Sequence, residues 1–276
     1  RKTKLIFQTF VLMSLNGISY SFLAGAVTSM IGFVLSLKLT DLATRHFTKL
    51  KEIVDELDEK SKKYFYCIVP STVHSFVQVY GTVGFLRRLY ENSVTTFDDR
   101  LIVDYGLTKF GPCFYNGIFV GYLLVDAVFL GFKNLGPMYT VHHFMAIVTW
   151  MTAEHTKCMQ FLRSFLQFNE FSTIFLNLRQ FYLTLGYSSS DKEVTRVSYI
   201  FFLSFFLVRI LPLPIIIFDW FAKDFHIIRN DVGVGVAGLY SLAYLCHTGL
   251  QSTWFIMMVK KVLGKSRKKK EYEKTQ

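Results

Sequence analysis

Residues 112–132 read PCFYNGIFVGYLLVDAVFLGF, and Asp126 is their one charged side chain. An α-helix rises about 1.5 Å per residue, so about 20 apolar residues are enough to cross the hydrocarbon core of a bilayer. Six further runs share this character: 5–37, 65–86, 137–153, 161–185, 197–218 and 232–259. The pattern predicts an all-α polytopic membrane protein with about seven transmembrane helices, or six if one run lies in the interface.

The composition of the whole chain supports a lipid environment. Of the 276 residues, 51% are hydrophobic and 17% aromatic, which excludes a disordered or nucleic-acid-coating protein. The net charge of +11 has a local explanation, because eight of the 31 basic residues lie in the stretch 260–274. A basic stretch after an apolar run is typical of a last helix that leaves the membrane on its cytosolic side, so no nucleic-acid partner is predicted.

The connection 38–63 indicates the orientation. It interleaves seven basic with six acidic residues, and its apolar side chains have helical spacing, which predicts an amphipathic surface helix: Leu42, Phe47, Leu50, Ile53 and Leu57. With seven spans this connection and the tail share one side and hold fifteen basic residues, so we expect that side to be cytosolic. The predicted divisions are 1–64, a transmembrane helix with this connection; 65–262, a six-helix domain; and 263–276, a basic cytosolic tail.

Ionisable side chains inside apolar runs are the first candidates for function, because each costs about 2.5–3.5 kcal/mol on insertion. They are His74, Asp126, His142, His143, Glu170, Arg179, Arg209 and His247. Counting residues from each run's centre places most of them at one depth, so they form one layer if the helices enclose a common interior. Local alternatives stay open, since Arg209 and Asp126 can pair with each other or with backbone carbonyls, and His74 and His247 are compatible with hydrogen-bonded core positions.

The adjacent histidines His142 and His143 are the strongest of these candidates. Successive helical positions diverge by about 100°, and packing alone rarely needs two imidazoles. We therefore predict one ring facing the interior and the other a neighbouring helix, with both as tentative catalytic residues. Their spacing does not match a helical metal site, which uses ligands three or four residues apart, so no metal is predicted.

These residues lie in stretches that resemble the TLC-domain family, in the TRAM and ceramide-synthase superfamily, and most closely its type 4 proteins. The matching stretches are STVHS at 71–75, GYLLVD ending at Asp126, the pair His142–His143, E-x-S-[ST]-x-F-x-N-x-R from Glu170 to Arg179, and VRI at 208–210. The resemblance covers about 69–261. It implies a helical barrel around a central cavity, membrane lipids as partners, and the endoplasmic reticulum as location, with mitochondrion and plasma membrane as alternatives.

The resemblance implies either a lipid site, in one of two versions, or a structural role as a scaffold. In the first version a lipid is bound without turnover, for lipid homeostasis, by His74, Asp126, Glu170, Asn177, Arg179 and Arg209 together with the histidine pair. The second version is a ceramide-synthase-like N-acyltransferase. In it His142 or His143 acts as a general base or as a nucleophile toward the thioester of acyl-CoA, and a sphingoid base accepts the acyl group. Acyl-CoA is then a possible substrate rather than a cofactor. The scaffold alternative is a structural subunit of a membrane protein complex.

The acyltransferase version meets a specific difference in the sequence. The ceramide-synthase signature HDxSDxxLE falls on NEFSTIFLN, where Asn169 replaces the His, Glu170 the first Asp, Thr173 the second Asp and Asn177 the Glu. Three of four polar positions thus lose their acid–base character, which usually costs orders of magnitude in rate. Lipid binding demands less of these positions and is the favoured hypothesis.

Overall fold

The computed structural model describes residues 18–91, 112–131 and 136–274, and regular secondary structure in these ranges is entirely helical. The helices in chain order are α1 (Tyr20–His46), α2 (Thr48–Asp55), α3 (Glu59–Glu91), α4 (Pro112–Leu130), α5 (Pro137–Thr156), α6 (Gln160–Gln167), α7 (Glu170–Thr184), α8 (Lys192–Phe205), α9 (Leu213–Asp219), α10 (Phe225–Asp231) and α11 (Val234–Lys274). Two π-helical segments, Phe206–Ile210 and Trp220–Asp224, connect α8, α9 and α10.

Three helical stretches of the described ranges are long and apolar enough to cross a membrane by length and composition: Tyr20–His46, Cys113–Leu130 and Lys192–Asp231. On α1 the apolar side chains Val27, Ile31 and Leu35 are exposed, as suits a surface that faces lipid. The other predicted runs also fold as helices, namely α3, α5, α6 with α7, and α11. Residues 5–17 of the first run and residue 132 of the third lie outside the described residues.

The connection 38–63 is not the single amphipathic helix that the spacing predicts. The helix α1 continues to His46, and Phe47 then adopts an extended backbone with φ −99° and ψ 104°. Leu42 and Phe47 are exposed, so they do not belong to the packed face. The packed face is on α2, where Val54 is buried against Phe65.

The helices α1 and α4 cross so closely that their backbones touch at glycines. A Cβ added at Gly25 would lie within 3.0 Å of three backbone atoms of Phe114 and Ile118. The same is true on the other side of the crossing, where Gly117 and Gly121 lie against the backbone of α1. Gly117 and Gly121 form a G-x-x-x-G spacing, which lets membrane helices pack backbone to backbone. This crossing holds the N-terminal helix against the helix that carries Asp126.

The fifth predicted run is broken rather than continuous. The helix α6 ends at Gln167, a turn follows at Phe168 and Asn169, and α7 begins at Glu170. At this break the carbonyl of Asn169 accepts a hydrogen bond from Arg209.

The sixth run widens into a π-helical segment just before Pro212. Proline has no N–H, and its ring clashes with the carbonyl four residues earlier. The helix therefore widens to hydrogen bonds between residues five apart, as from Leu211 N–H to Phe206 C=O at 2.9 Å. Arg209 lies in this widened segment.

Candidate functional site

A cavity of about 70 Å³ lies among α5, α6, α7, α11 and the first π-helical segment. Most of its wall is apolar or aromatic, from Phe119, Met145, Ala146, Trp150, Met159, Leu166, Tyr240, Ala243, Tyr244 and Leu250. The helices α5 and α11 are antiparallel along it, because the Tyr240 hydroxyl donates to the Thr149 carbonyl at 3.2 Å, whereas His142 contacts Trp254. The cavity face of α11 runs over twelve residues from Tyr240 to Gln251, a rise of about 16 Å.

One end of the cavity is polar. It is lined by His142, Glu170, Arg209, His247 and Gln251, which come from α5, α7, the π-helical segment and α11. Two of them have hydrogen-bonding atoms with no protein partner among the described residues: Nε2 of His247, and both side-chain polar atoms of the fully buried Gln251. A buried amide without partners is costly, so this end suits a ligand that both donates and accepts hydrogen bonds.

Arg209 is fixed by the broken helix opposite it. Its Nε donates to the Ser172 hydroxyl at 2.8 Å, and its Nη2 donates to the Asn169 carbonyl and the Thr173 hydroxyl, both at 2.9 Å. The guanidinium also lies over the Phe205 ring, 5.2 Å from its centroid. Arg209 is therefore held by neutral acceptors at the start of α7. It does not pair with Asp126, but it does bind a backbone carbonyl, that of Asn169, which was the other local alternative.

The two histidines diverge as their adjacent positions predict. His142 lines the cavity, and its ring meets Trp254 edge to face at 5.8 Å between centroids. His143 is buried against α4 instead, with its Nε2 3.1 Å from Oδ2 of Asp126. Only His142 is placed to meet a ligand in the cavity.

The His143–Asp126 pair is buried between α4 and α5. The Nδ1 of His143 lies 2.9 Å from the Tyr139 carbonyl, and its Nε2 lies 3.1 Å from Oδ2 of Asp126. Both ring nitrogens therefore have a partner inside the helix bundle. The pair ties the two helices together and orients α5 so that His142 faces the cavity.

The remaining predicted residues join helices in pairs away from the cavity. Asn177 donates to the hydroxyls of Ser71 and Thr72 on α3 at 2.9 and 3.1 Å, and Arg179 donates to Ser198 of α8 at 3.0 Å. His74 is buried and stacks on Tyr122 with centroids 4.0 Å apart.

Glu170 belongs both to the residues that line the cavity and to those that join two helices. It lines the cavity and accepts a hydrogen bond from Ser75 of α3 at 3.0 Å. The structure thus brings His142, Glu170, Arg209 and His247 to one cavity. It places His74, Asp126, His143, Asn177 and Arg179 in helix contacts instead.

Three buried polar residues were not among the sequence-predicted sites: Arg163 and Gln251 at the cavity, and Glu154 beside Arg163. Arg163 lies inside the predicted run 161–185, where the cost of an ionisable group in lipid already marks it. An uncharged Gln gives no such signal. Among the described residues no group of three His, Cys, Asp or Glu side chains is placed to hold a metal ion.

A family model described as TLC domain matches residues 57–260, about three quarters of the chain. The chain belongs to the TLC-domain family. Two similar proteins are both TLC domain-containing protein 4-B, as the resemblance to type 4 proteins predicts. The one from Xenopus laevis is 28% identical over 147 residues, which are 51% of this chain and 55% of the relative. The one from Danio rerio is 26% identical over 191 residues, 67% of this chain and 68% of the relative.

This TLC-domain chain therefore spans about half the length of the Xenopus relative that it matches. No solved structure is significantly similar to it. The matched range 57–260 includes the cavity-lining residues of α5, α6, α7 and α11, so the cavity belongs to the TLC domain itself.

Proposed function

We propose that this TLC-domain protein binds a membrane lipid in the cavity between α5 and α11 and takes part in lipid homeostasis. The observation that carries the proposal is one cavity with apolar walls along its length and a polar cluster, His142, Glu170, Arg209, His247 and Gln251, at one end. A lipid has the same division between an apolar chain and a polar group. The unpartnered Gln251 supports a bound group with hydrogen-bond donors and acceptors.

The topology proposed with this function has seven spans and a central cavity in a barrel of helices. The basic connection 38–63 and the tail lie on the cytosolic side, and the membrane is that of the endoplasmic reticulum. In this arrangement α5 enters from the cytosol at Pro137, and α11 returns to the cytosol at its C-terminal end, which agrees with their antiparallel contacts.

One observation favours acyl transfer as the second candidate: His142 faces the cavity at the end that also holds Glu170. Two observations weigh against it. The carboxylate of Asp126 pairs with His143 and not with His142. The hydroxyl of Thr173, at a position where the ceramide-synthase signature has an acid, accepts a hydrogen bond from Arg209.

A test of lipid binding compares two tryptophan substitutions on adjacent residues of α11. Ala243 lines the cavity, whereas Leu242 is exposed. Ala243→Trp fills the cavity, and Leu242→Trp adds the same ring to the outer face. We expect mass spectrometry of the protein purified in detergent to show a stoichiometric lipid in the wild type and Leu242→Trp and its loss in Ala243→Trp. Equal lipid content in both variants would contradict the proposed site.

The acyltransferase candidate needs a separate assay. Purified protein is incubated with labelled acyl-CoA and a long-chain base, and the same is done with His142→Ala and His143→Ala. Turnover that is lost only in His142→Ala would establish the enzyme and replace the proposal of binding alone. Absence of turnover in protein that retains its lipid supports binding without chemistry.

A further inference from the structure

The end of the cavity opposite His142 contains a buried cation. Arg163 of α6 lines the cavity and is only 3% exposed. Its Nη1 donates to the Trp150 carbonyl at 3.1 Å, which places the guanidinium near Tyr240 at the start of the α11 cavity face. The Nε and Nη2 atoms of Arg163 are buried and have no hydrogen-bond partner among the described residues.

The nearest carboxylate does not satisfy this guanidinium. Glu154 lies with its Oε2 3.9 Å from Nη2 of Arg163, which is beyond hydrogen-bond distance. Its other oxygen, Oε1, accepts from the Ser19 hydroxyl at 2.7 Å and from Lys157 Nζ at 2.6 Å. Two cations thus share one carboxylate, which leaves a local charge of about +1 next to an apolar cavity.

The turn before α6 holds Arg163 in this position. Lys157 and Met159 both have left-handed backbones, with φ of 56° and 61°, which non-glycine residues adopt at a cost. Met159 is buried against the cavity, and Lys157 is tied to Glu154. The chain therefore reverses direction tightly after α5 and brings α6, with Arg163, against the cavity wall.

We propose that the free Nε/Nη2 edge of Arg163 binds the acidic group, a carboxylate or phosphate, of the lipid in this cavity. The two N–H groups on one edge of a guanidinium match two oxygens of such a group, and charge-assisted pairs of this kind are the strong ones. This inference rests on the proposed lipid site and specifies its ligand as an acidic lipid. The acidic group then lies at the end opposite His142. The proposed lipid therefore carries two polar groups, the acidic one at Arg163 and a hydrogen-bonding one at the polar cluster, with its apolar part in the middle of the cavity.

The experiment measures binding of the fluorescent fatty acid cis-parinaric acid and of its methyl ester to the full chain in detergent at pH 7.4. The acid and the ester share a chain and differ in charge. We expect the wild type to bind the acid at least tenfold more tightly than the ester, and Arg163→Gln to bind the two probes with similar affinity. Arg179→Gln is the matched control, because Arg179 bonds to Ser198 and does not line the cavity.

A second variant covers the case in which Arg163→Gln does not fold. Arg163→Lys keeps the charge but loses the two-donor edge, so we expect it to reduce the preference for the acid severalfold. A wild-type protein without preference, or a preference that survives both substitutions, overturns the inference. In that case Arg163 only completes the ion cluster of Glu154.

The outcomes separate this inference from the proposed function. Binding of the ester without preference for the acid leaves the lipid site standing and removes the role of Arg163. Failure of both probes to bind contradicts the lipid site itself. Competition with inorganic phosphate distinguishes the source of the anion: no displacement supports an acid carried by a lipid, whereas displacement assigns the edge to a free oxyanion and overturns the lipid form.

Discussion

Replacing Gly25 by alanine tests the close crossing of α1 and α4. The added Cβ would lie within 3.0 Å of the Phe114 carbonyl carbon, its oxygen and the Ile118 nitrogen, all backbone atoms that cannot rotate away. Ordinary contact begins near 3.4 Å. The two helices must therefore separate by about 1 Å, and overpacking of this kind costs about 1–3 kcal/mol.

The same helix offers a matched control at Gly32, where an added Cβ meets nothing within 4 Å. Both substitutions gain the same helix propensity, about 0.5–1 kcal/mol, so the difference between the variants isolates the overpacking cost. For a chain of this size about 1 kcal/mol shifts the melting temperature by roughly 2–4 °C. We therefore expect Gly25→Ala to melt about 2–12 °C below Gly32→Ala in thermal unfolding of the detergent-solubilised protein.

A double substitution sharpens this test. Gly117 on α4 faces the backbone of Phe22 and Ala26 at the same crossing, so the separation that relieves Gly25→Ala also relieves Gly117→Ala. The loss in the double variant should therefore be clearly smaller than the sum of the single losses. If Gly25→Ala is as stable as Gly32→Ala, or if the losses simply add, the backbones do not touch there.

Substitutions at three further positions probe single contacts. Asp126→Ala should cost about 1–3 kcal/mol more than Asp126→Asn in thermal unfolding, because an Asn amide can still donate to Nε2 of His143; equal losses would contradict the pair. Arg209→Lys keeps the charge but loses the bonds to α7, so we expect a loss of about 1–3 kcal/mol; an unchanged melting temperature would show that these bonds do not form. At the start of α3, hydrogen bonds from the Ser61 hydroxyl and backbone N–H lower the pKa of Asp58, so its stabilising effect is complete above pH 3.8 and is lost as the pH falls through the lower folded-state pKa. Asp58→Ala should therefore melt below the wild type at pH 7, and the difference between the two proteins should be smaller near pH 3. A difference that does not depend on pH would refute a stabilising role of the charged Asp58 carboxylate.

Much of the fold was predictable because the apolar character that suits a helix to lipid is summed over the whole length of each run. Helices occur at all the predicted apolar runs where the structure describes them, and the family resemblance is confirmed. Finer features were not predictable from run length. The break before Glu170, the π-helical segment around Arg209 and the bend at Phe47 each depend on a few local backbone bonds.

The candidate site was predictable only in part, since residue type does not give direction. A step of one residue turns a side chain by about 100°, so His142 reaches the cavity and His143 reaches Asp126. For the same reason, the ionisable groups that were predicted to form one layer lie in two different environments. His142, Glu170 and Arg209 line one cavity, whereas Asn177 and Arg179 bond to neighbouring helices.

The sequence by itself determined that this chain is helical, suited to a membrane and a member of the TLC-domain family, because those properties are sums over many residues. Tertiary structure alone decided which polar groups face one another across the cavity and which cation stays without a full partner. Such contacts join α4 to α5 and Arg209 to Ser172 of α7, and their geometry follows from helix rotation and crossing rather than from local composition. Arg163 shows the difference: the sequence marks it as a charge in an apolar run, and only the packed helices place it at a cavity with two of its nitrogens lacking hydrogen-bond partners.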